Sequence, residues 1–270
     1  MAAVVEAVDS RTNPKPPLKW AGGKRWLVPH LLPLWDSHRS RRLVEPLCGG
    51  LAVSLGLAPA RALISDLNPH TINFYSWLKR GLRIRLEMQN DPACFYEQRT
   101  RFNQLIRENN ADSEEAASLF YYLNRTCYNG LCRFNSKDEF NVPFGRYKKL
   151  IYKTDFTEYI SALAQWDFTC VDFEKLSLRH DDFVYADPPY DVQFTSYSKE
   201  NFDWDDQVRL AEWLARHPGP VVLSNQATDR IRQLYETLGY TVRTLKAPRM
   251  INNTGDRTPA KEVLAFRNCS

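Results

Sequence analysis

The 270-residue chain carries 36 Lys and Arg against 32 Asp and Glu, a net charge of +4, with 43% hydrophobic residues. That is the composition of a soluble globular protein with a sizeable core, and it excludes a low-complexity or repeat protein. No apolar run approaches the roughly 18 residues of a membrane span, and the start, MAAVVEAV, lacks a basic n-region and is too short for a signal core.

The leader is expected to end in RTNPKPP, ahead of LKWAGGKR at 18–25. This stretch is no phosphate loop, which needs Gly where Leu18 stands and Ser or Thr where Arg25 stands. RRLVEPL then reads as a strand, and VEPLCGGLAV (44–53) runs it into paired glycines and a helix. The pattern fails the dinucleotide fingerprint, yet a glycine turn after a first strand still admits a ligand close to backbone. RALISD reads as the next strand and ends at Asp66, 16 residues beyond Gly50. Doubly wound folds hold ribose hydroxyls with an acidic residue about 20 residues after the glycine turn. The plainer role for Asp66 is to cap the helix that begins near Pro69. Together the three stretches point to an adenosine-type ligand without a pyrophosphate, which S-adenosyl-L-methionine satisfies.

From about 70 to 125 helical patterns dominate, with Asp112 and Glu115 of DSEEAASLFYYLNR at capping-box spacing. Residues 125–153 hold seven basic residues (Arg125, Arg133, Lys137, Arg146, Lys148, Lys149, Lys153) against Asp138 and Glu139, so the positive charge of the chain is concentrated there. Tyr128, Phe134, Phe140, Phe144, Tyr147 and Tyr152 are interleaved with them. Cations among aromatics suit phosphate contacts and base stacking, whereas a solvated basic loop does not need so many rings.

FTCVD, DFVYAD, PVVLSN, TVRTL and EVLAF read as further strands. Helical patterns fall at 205–216 and at Ile231, Leu234, Tyr235 and Leu238, with Gly239 as a stop. Such alternation predicts a mostly parallel sheet with helices on both faces. On this reading residues 70–150 are a helical and loop insertion splitting an α/β core into 1–69 and 151–270; one compact α/β domain is the alternative. The six cysteines form no CxxC pair and have no His at ligand spacing, so reduced thiols, no metal and a cytoplasmic setting are expected.

VYADPPYDVQF (184–194) ends a strand on a carboxylate and stiffens the following turn with two prolines. The Asp187 carboxylate and the Pro188 carbonyl can accept both hydrogens of one exocyclic amine, with the Tyr190 ring stacked on the base. These groups suit methyl transfer to a base nitrogen. As a bare dipeptide turn the stretch would be only a strand end.

LKWAGGK, EPLCGGLAV, SDLNP, NRTCYNGLCRFN, EFNVPFGRYKK, ADPPY and LSN occur in the order found in Dam-type DNA N6-adenine methyltransferases, and the chain resembles that family over about residues 17–267. The resemblance implies a Rossmann-like S-adenosyl-L-methionine-dependent methyltransferase core with an inserted target-recognition domain, acting on double-stranded DNA at GATC. It assigns Asp187, Pro188, Pro189 and Tyr190 to catalysis, and Trp20, Lys24, Glu45, Leu47, Asp66 and Asp187 to the cofactor. Lys19, Leu131, Arg133 and Pro143 match base-reading positions, and Tyr128 and Asn129 match positions that fill the gap left by a flipped adenine. Asn141, Arg146, Tyr147 and Lys148 complete the DNA-facing set. Leu47 stands where the family often has Phe, and the segment after the tetrad, DVQFTSYS, is short, with Phe194 and Tyr197 as candidate lid residues. Nothing demands more than a monomer. The rival readings are a related enzyme acting on another site, on cytosine N4 or on RNA, and a DNA-binding protein with an inactive methyltransferase fold.

Overall fold

Seven short runs rich in β-branched and aromatic residues form one sheet: β1 Leu43–Glu45, β2 Ala62–Ser65, β3 Trp166–Thr169, β4 Phe183–Ala186, β5 Val221–Gln226, β6 Thr241–Ala247 and β7 Ala260–Arg267. The computed structural model describes residues 14–190, 202–248 and 260–269. The leader and the candidate lid residues Phe194 and Tyr197 lie outside the described residues.

The strand order is β3-β2-β1-β4-β5-β7-β6, with β1 to β5 parallel and β7 antiparallel to both β5 and β6. The order in which strands are added reverses between β1 and β4, and ligands of open α/β sheets bind at such a switch point beyond the carboxyl ends of the strands. Side chains alternate between two buried layers. Leu43, Phe183, Tyr185, Val222 and Leu264 face one hydrophobic cluster, and Val44, Val184, Ala186, Val221, Leu223, Val263 and Ala265 face the other. The molecule is therefore an α/β protein with a Rossmann-like, mostly parallel sheet. The sequence places β3 two residues late: the ladder covers Trp166–Thr169, and Val171 and Asp172 lie past its end.

Eight helices surround the sheet among the described residues: α1 Val28–Trp35, α2 Ala52–Leu57, α3 Pro69–Lys79, α4 Pro92–Arg107, α5 Glu114–Thr126, α6 Thr157–Leu163, α7 Trp204–Ala215 and α8 Asp229–Thr237. Phe74 of α3, Phe102 of α4 and Phe120 of α5 share one hydrophobic cluster with a face of the sheet. The cap of α5 falls one residue later than its spacing suggests. Ser113 accepts from the Ala116 amide at 3.2 Å, while Glu115 is held by Arg101 of α4 at 2.6 and 2.8 Å. A serine at this position reaches the amide directly, which frees the glutamate for the neighbouring helix. No described helix is long and apolar enough to cross a membrane.

Candidate active site

Paired glycines follow β1 because an indole lies against them. A Cβ on Gly49 would sit 2.5 Å from Trp20 Nε1, and one on Gly50 would sit 2.7 Å from Trp20 Cβ. The turn is tied down from two sides: the Gly49 amide donates to Asp66 Oδ2 at 2.8 Å, and the Tyr75 hydroxyl donates to the Gly49 carbonyl at 2.7 Å. Asp66 Oδ1 accepts from the Asn68 amide at 2.9 Å. The cap of α3 is Asn68, which accepts from the His70 and Thr71 amides, so the plainer role for Asp66 is filled by its neighbour. Asp66 Oδ2 also accepts from the Cys48 thiol at 3.9 Å, and Oδ1 keeps a second acceptor site.

β4 delivers Asp187 to the switch point. The Lys24 ammonium, only 4% exposed, lies 2.9 Å from Asp187 Oδ2 and donates to the Gly22 carbonyl at 3.0 Å. On the other side Ser224 of β5 donates to Asp187 Oδ1 at 2.8 Å and is itself 2.7 Å from the Tyr185 hydroxyl. Burial raises the Asp187 carboxyl above the ordinary carboxylate range, against the pull of Lys24 and Ser224. Gln207 donates to the Pro189 carbonyl at 2.7 Å, and Asn225 holds Gln207 in turn at 2.9 Å. No described residue donates to the Pro188 carbonyl, so it remains an acceptor beside the carboxylate. The Lys24 ammonium stands 4.7 Å from the centre of the Tyr190 ring.

The glycine turn, Asp66 and the Asp187 turn line a cleft of about 810 Å³. Trp20, Lys24, Glu45, Leu47, Asp66 and Asp187, the six residues assigned to the cofactor from sequence, all face it, as do Pro188, Pro189 and Tyr190. Glu45 is buried at the cleft wall, and its Oε2 accepts from the Ser54 amide at 3.3 Å and from the Ser54 hydroxyl. Burial pushes its carboxyl up to about 8 from 4.5, Ser54 resisting and Asp187 adding to the rise. Between those two values the folded chain holds a proton that the unfolded chain has lost, so this group makes stability fall as pH rises from 4.5 to about 8. Glu45→Gln is expected to flatten that part of the profile of Tm against pH; an unchanged slope would show that Glu45 does not set it.

The DNA-facing set falls largely outside the cleft; Leu131 is its one member among the cleft's lining residues. Lys19 pairs through its backbone with the Asn124 side chain, both bonds 2.8 Å, and its ammonium donates to the Arg125 carbonyl at 2.9 Å. The same ammonium lies 3.4 Å from the centre of the Tyr147 ring. Partial burial, then the charge of Arg125, lowers it to about 8. Tyr128, 46% exposed, donates its amide to the Pro143 carbonyl at 2.8 Å. Asn129 and Gly130 follow at φ +53° and +64°, the left-handed region that Asn and Gly tolerate. Arg133 donates through Nε to Asn141 Oδ1 at 2.8 Å, across a loop closed by an antiparallel bridge between Phe134 and Phe140. His70 of α3 stacks on Phe134 at 4.8 Å, and Asn68 donates to Cys132 Sγ at 3.2 Å, so this loop rests on the start of α3. Pro143, Arg146 and Lys148 are exposed.

Several residues of the site escape sequence reasoning. Gln207 and Glu262 reach the tetrad from a helix and a strand far along the chain, and nothing in their local pattern marks them, while Ser224 lies in the LSN motif without its pattern showing the bond to Asp187. Asp172 and Phe173 line the cleft just beyond β3, where Arg209 donates to Asp172 at 2.9 and 3.0 Å and its guanidinium stands 4.3 Å from the Phe173 ring. A strand running into Asp-Phe is the signal that was available for these two. Among the described residues no cysteine is in a disulfide and no metal-ligating side chains cluster.

A family model for D12 class N6 adenine-specific DNA methyltransferases matches residues 20–251. The chain is 34% identical to the retron Ec67 DNA adenine methylase of Escherichia coli, over 92% of this chain and 90% of the relative. It is 36% identical to a DNA adenine methylase of Vibrio cholerae, over 92% and 94%. It is also 34% identical to a type II methyltransferase of Methanocaldococcus jannaschii, over 90% and 94%. A carboxylate, a carbonyl and a tyrosine set at the switch point of a Rossmann-like sheet thus occur in a chain similar along most of its length to enzymes named for adenine methylation, and the protein belongs to the D12 class of N6 adenine-specific DNA methyltransferases.

Proposed function

We propose that the protein moves a methyl group from S-adenosyl-L-methionine to N6 of an adenine turned out of duplex DNA, within GATC. The observation that carries the reading is the placement of Asp187, gripped by Lys24 at 2.9 Å and Ser224 at 2.8 Å beside the Pro188 carbonyl. An adenine amine is a poor nucleophile because its lone pair is conjugated with the ring. Acceptance of its two hydrogens by Asp187 and Pro188 concentrates that pair on nitrogen and aims it into the cleft. Tyr190 provides the stacking surface.

The cleft fits the donor chemically: Glu45, Asp66 and Asp187 are among its lining residues, and carboxyl oxygens suit ribose hydroxyls. When bound, S-adenosyl-L-methionine supplies the electrophilic methyl group. Charge-assisted hydrogen bonds contribute about 1.5–3 kcal/mol and stacking about 1–3 kcal/mol per base. Their sum covers the few kcal/mol needed to extrude a base.

Residues 70–150 serve in this reading as the target-reading insertion, and the enzyme works as a monomer on double-stranded DNA. Arg133 reads a guanine, Leu131 and Pro143 pack on thymine methyls, and Tyr128 with Asn129 fills the gap in the stack. Lys148, exposed on the basic loop, contacts phosphate. Lys148→Ala is expected to weaken all duplexes equally and reduce the salt slope by about 1; a loss confined to one sequence contradicts that role. Sequencing methylated bases in DNA from cells expressing the chain tests the site: adenine modified within GATC supports the reading, and another base or site overturns it.

A further inference from the structure

β7 runs against the parallel strands, so its first residues lie over their carboxyl ends, where the tetrad sits. Glu262 is the third residue of this strand, in register with Gln226 of β5 and Leu245 of β6. It is 6% exposed, and its Oε1 accepts the Tyr190 hydroxyl. Its Oε2 is buried and has no hydrogen-bond partner among the described residues. Enclosing a carboxyl group with an oxygen unsatisfied is costly, and such groups in native proteins need an account. The fold does not supply one, because an apolar residue would continue the buried run Val263, Leu264 and Ala265.

Charge around Glu262 supplies it. The Lys24 ammonium stands 4.7 Å from the Tyr190 ring centre and 2.9 Å from Asp187. Its field acts on Glu262 as well, lowering the carboxyl against the rise imposed by burial. Asp187, Lys24, Tyr190 and Glu262 are therefore one linked group, with Glu262 at the end farthest along the chain. A tyrosine ring tethered at its hydroxyl as well as its backbone keeps one plane, and stacking on a base depends on that plane.

We infer that Glu262 is a positioning residue of the methyl-acceptor pocket: by holding the Tyr190 hydroxyl it fixes the ring against which the acceptor base stacks. The inference rests on the function proposed above, with adenine as the acceptor. Glu262 is not among the residues lining the cleft, so its effect runs through Tyr190.

The test compares wild type, E262A, E262Q, Y190F and the double variant E262A/Y190F, using duplex DNA and S-adenosyl-L-methionine. Single-turnover methyl transfer is read beside affinity for each ligand, and a duplex with 2-aminopurine at the target adenine reports stacking. E262A is expected to lose about 10- to 100-fold in transfer rate with unchanged affinities, as a slightly misplaced reactant does. Its 2-aminopurine complex should be brighter than that of wild type, because the extruded base no longer stacks on a fixed ring. Y190F, which keeps the ring and removes the hydroxyl, should match E262A, and the double variant should be no worse than either. E262Q, whose amide oxygen still accepts the hydroxyl, should recover most of the rate. A wild-type rate and emission in E262A, or losses that add in the double variant, overturn the inference while the function stands. Should E262A fail to fold, Y190F decides: a wild-type rate and emission overturn the inference. If wild type transfers no methyl group to duplex DNA, the functional reading falls and this inference falls with it.

Discussion

Asp187→Ala is expected to reduce methyl transfer at least about 10²- to 10³-fold, the usual effect of removing one preorganised polar group at a reacting centre. The loss should appear in kcat, since the hydrogen bond to the acceptor amine matters most as the nitrogen gains positive charge. Duplex affinity should change little, because the groups assigned to DNA lie on the 125–153 segment and at Lys19. The substitution also strands the Lys24 ammonium, 4% exposed and paired with Asp187 at 2.9 Å. An unpaired buried cation is destabilising, so denaturant unfolding should show a lower midpoint for the variant. Asp187→Asn separates the two effects. It keeps the shape and an acceptor oxygen but loses the charge, and it should remain as inactive as the alanine variant while folding better. Transfer at the wild-type rate in either variant would remove Asp187 from the chemistry.

Arg133→Ala should relax discrimination at one guanine by about 1–3 kcal/mol, the range for a good bidentate contact. At 1.4 kcal/mol per tenfold, that is a loss of roughly 5- to 150-fold in preference over a duplex changed at that base. Asn141 Oδ1 holds Arg133 Nε at 2.8 Å, and the Asn141 carbonyl accepts from Nη2 at 3.4 Å, so the guanidinium is oriented before DNA arrives. Asn141→Ala should move preference the same way by a smaller amount. Lysine cannot present the planar fork, so Arg133→Lys should not restore discrimination. Competition between matched and single-substituted duplexes reads the effect, and an unchanged ratio refutes the assignment.

The centre of the sheet was legible because β1, β4 and β5 are buried on both faces. Runs such as DFVYAD and PVVLSN carry apolar residues at every position of the ladder, and turn residues bound them. Where local chemistry offered two choices the sequence misled slightly. Ser113 caps α5 in place of Asp112, and Asn68 caps α3 in place of Asp66, because a side chain one or two residues closer to the free amides takes them. The candidate site was half legible. Motifs named Trp20, Lys24, Glu45, Leu47, Asp66 and Asp187, and these residues line one cleft. Pairings across long stretches of chain were beyond reach: the contact of Lys24 with Asp187, the support of Asp187 by Ser224, and the anchoring of Tyr190 by Glu262. A glutamate opening EVLAF reads as a solvent-facing residue until the antiparallel strand brings it over the tetrad.

The most direct measurement is to incubate the purified protein with S-adenosyl-L-methionine labelled in its methyl group and a duplex containing GATC, then digest to nucleosides and separate them by mass spectrometry. Label is expected in N6-methyl-2′-deoxyadenosine, and at least about 100-fold less of it when Asp187→Ala replaces the wild-type protein. Label in N4-methyl-2′-deoxycytidine, or no label in DNA at all, would contradict the proposed function.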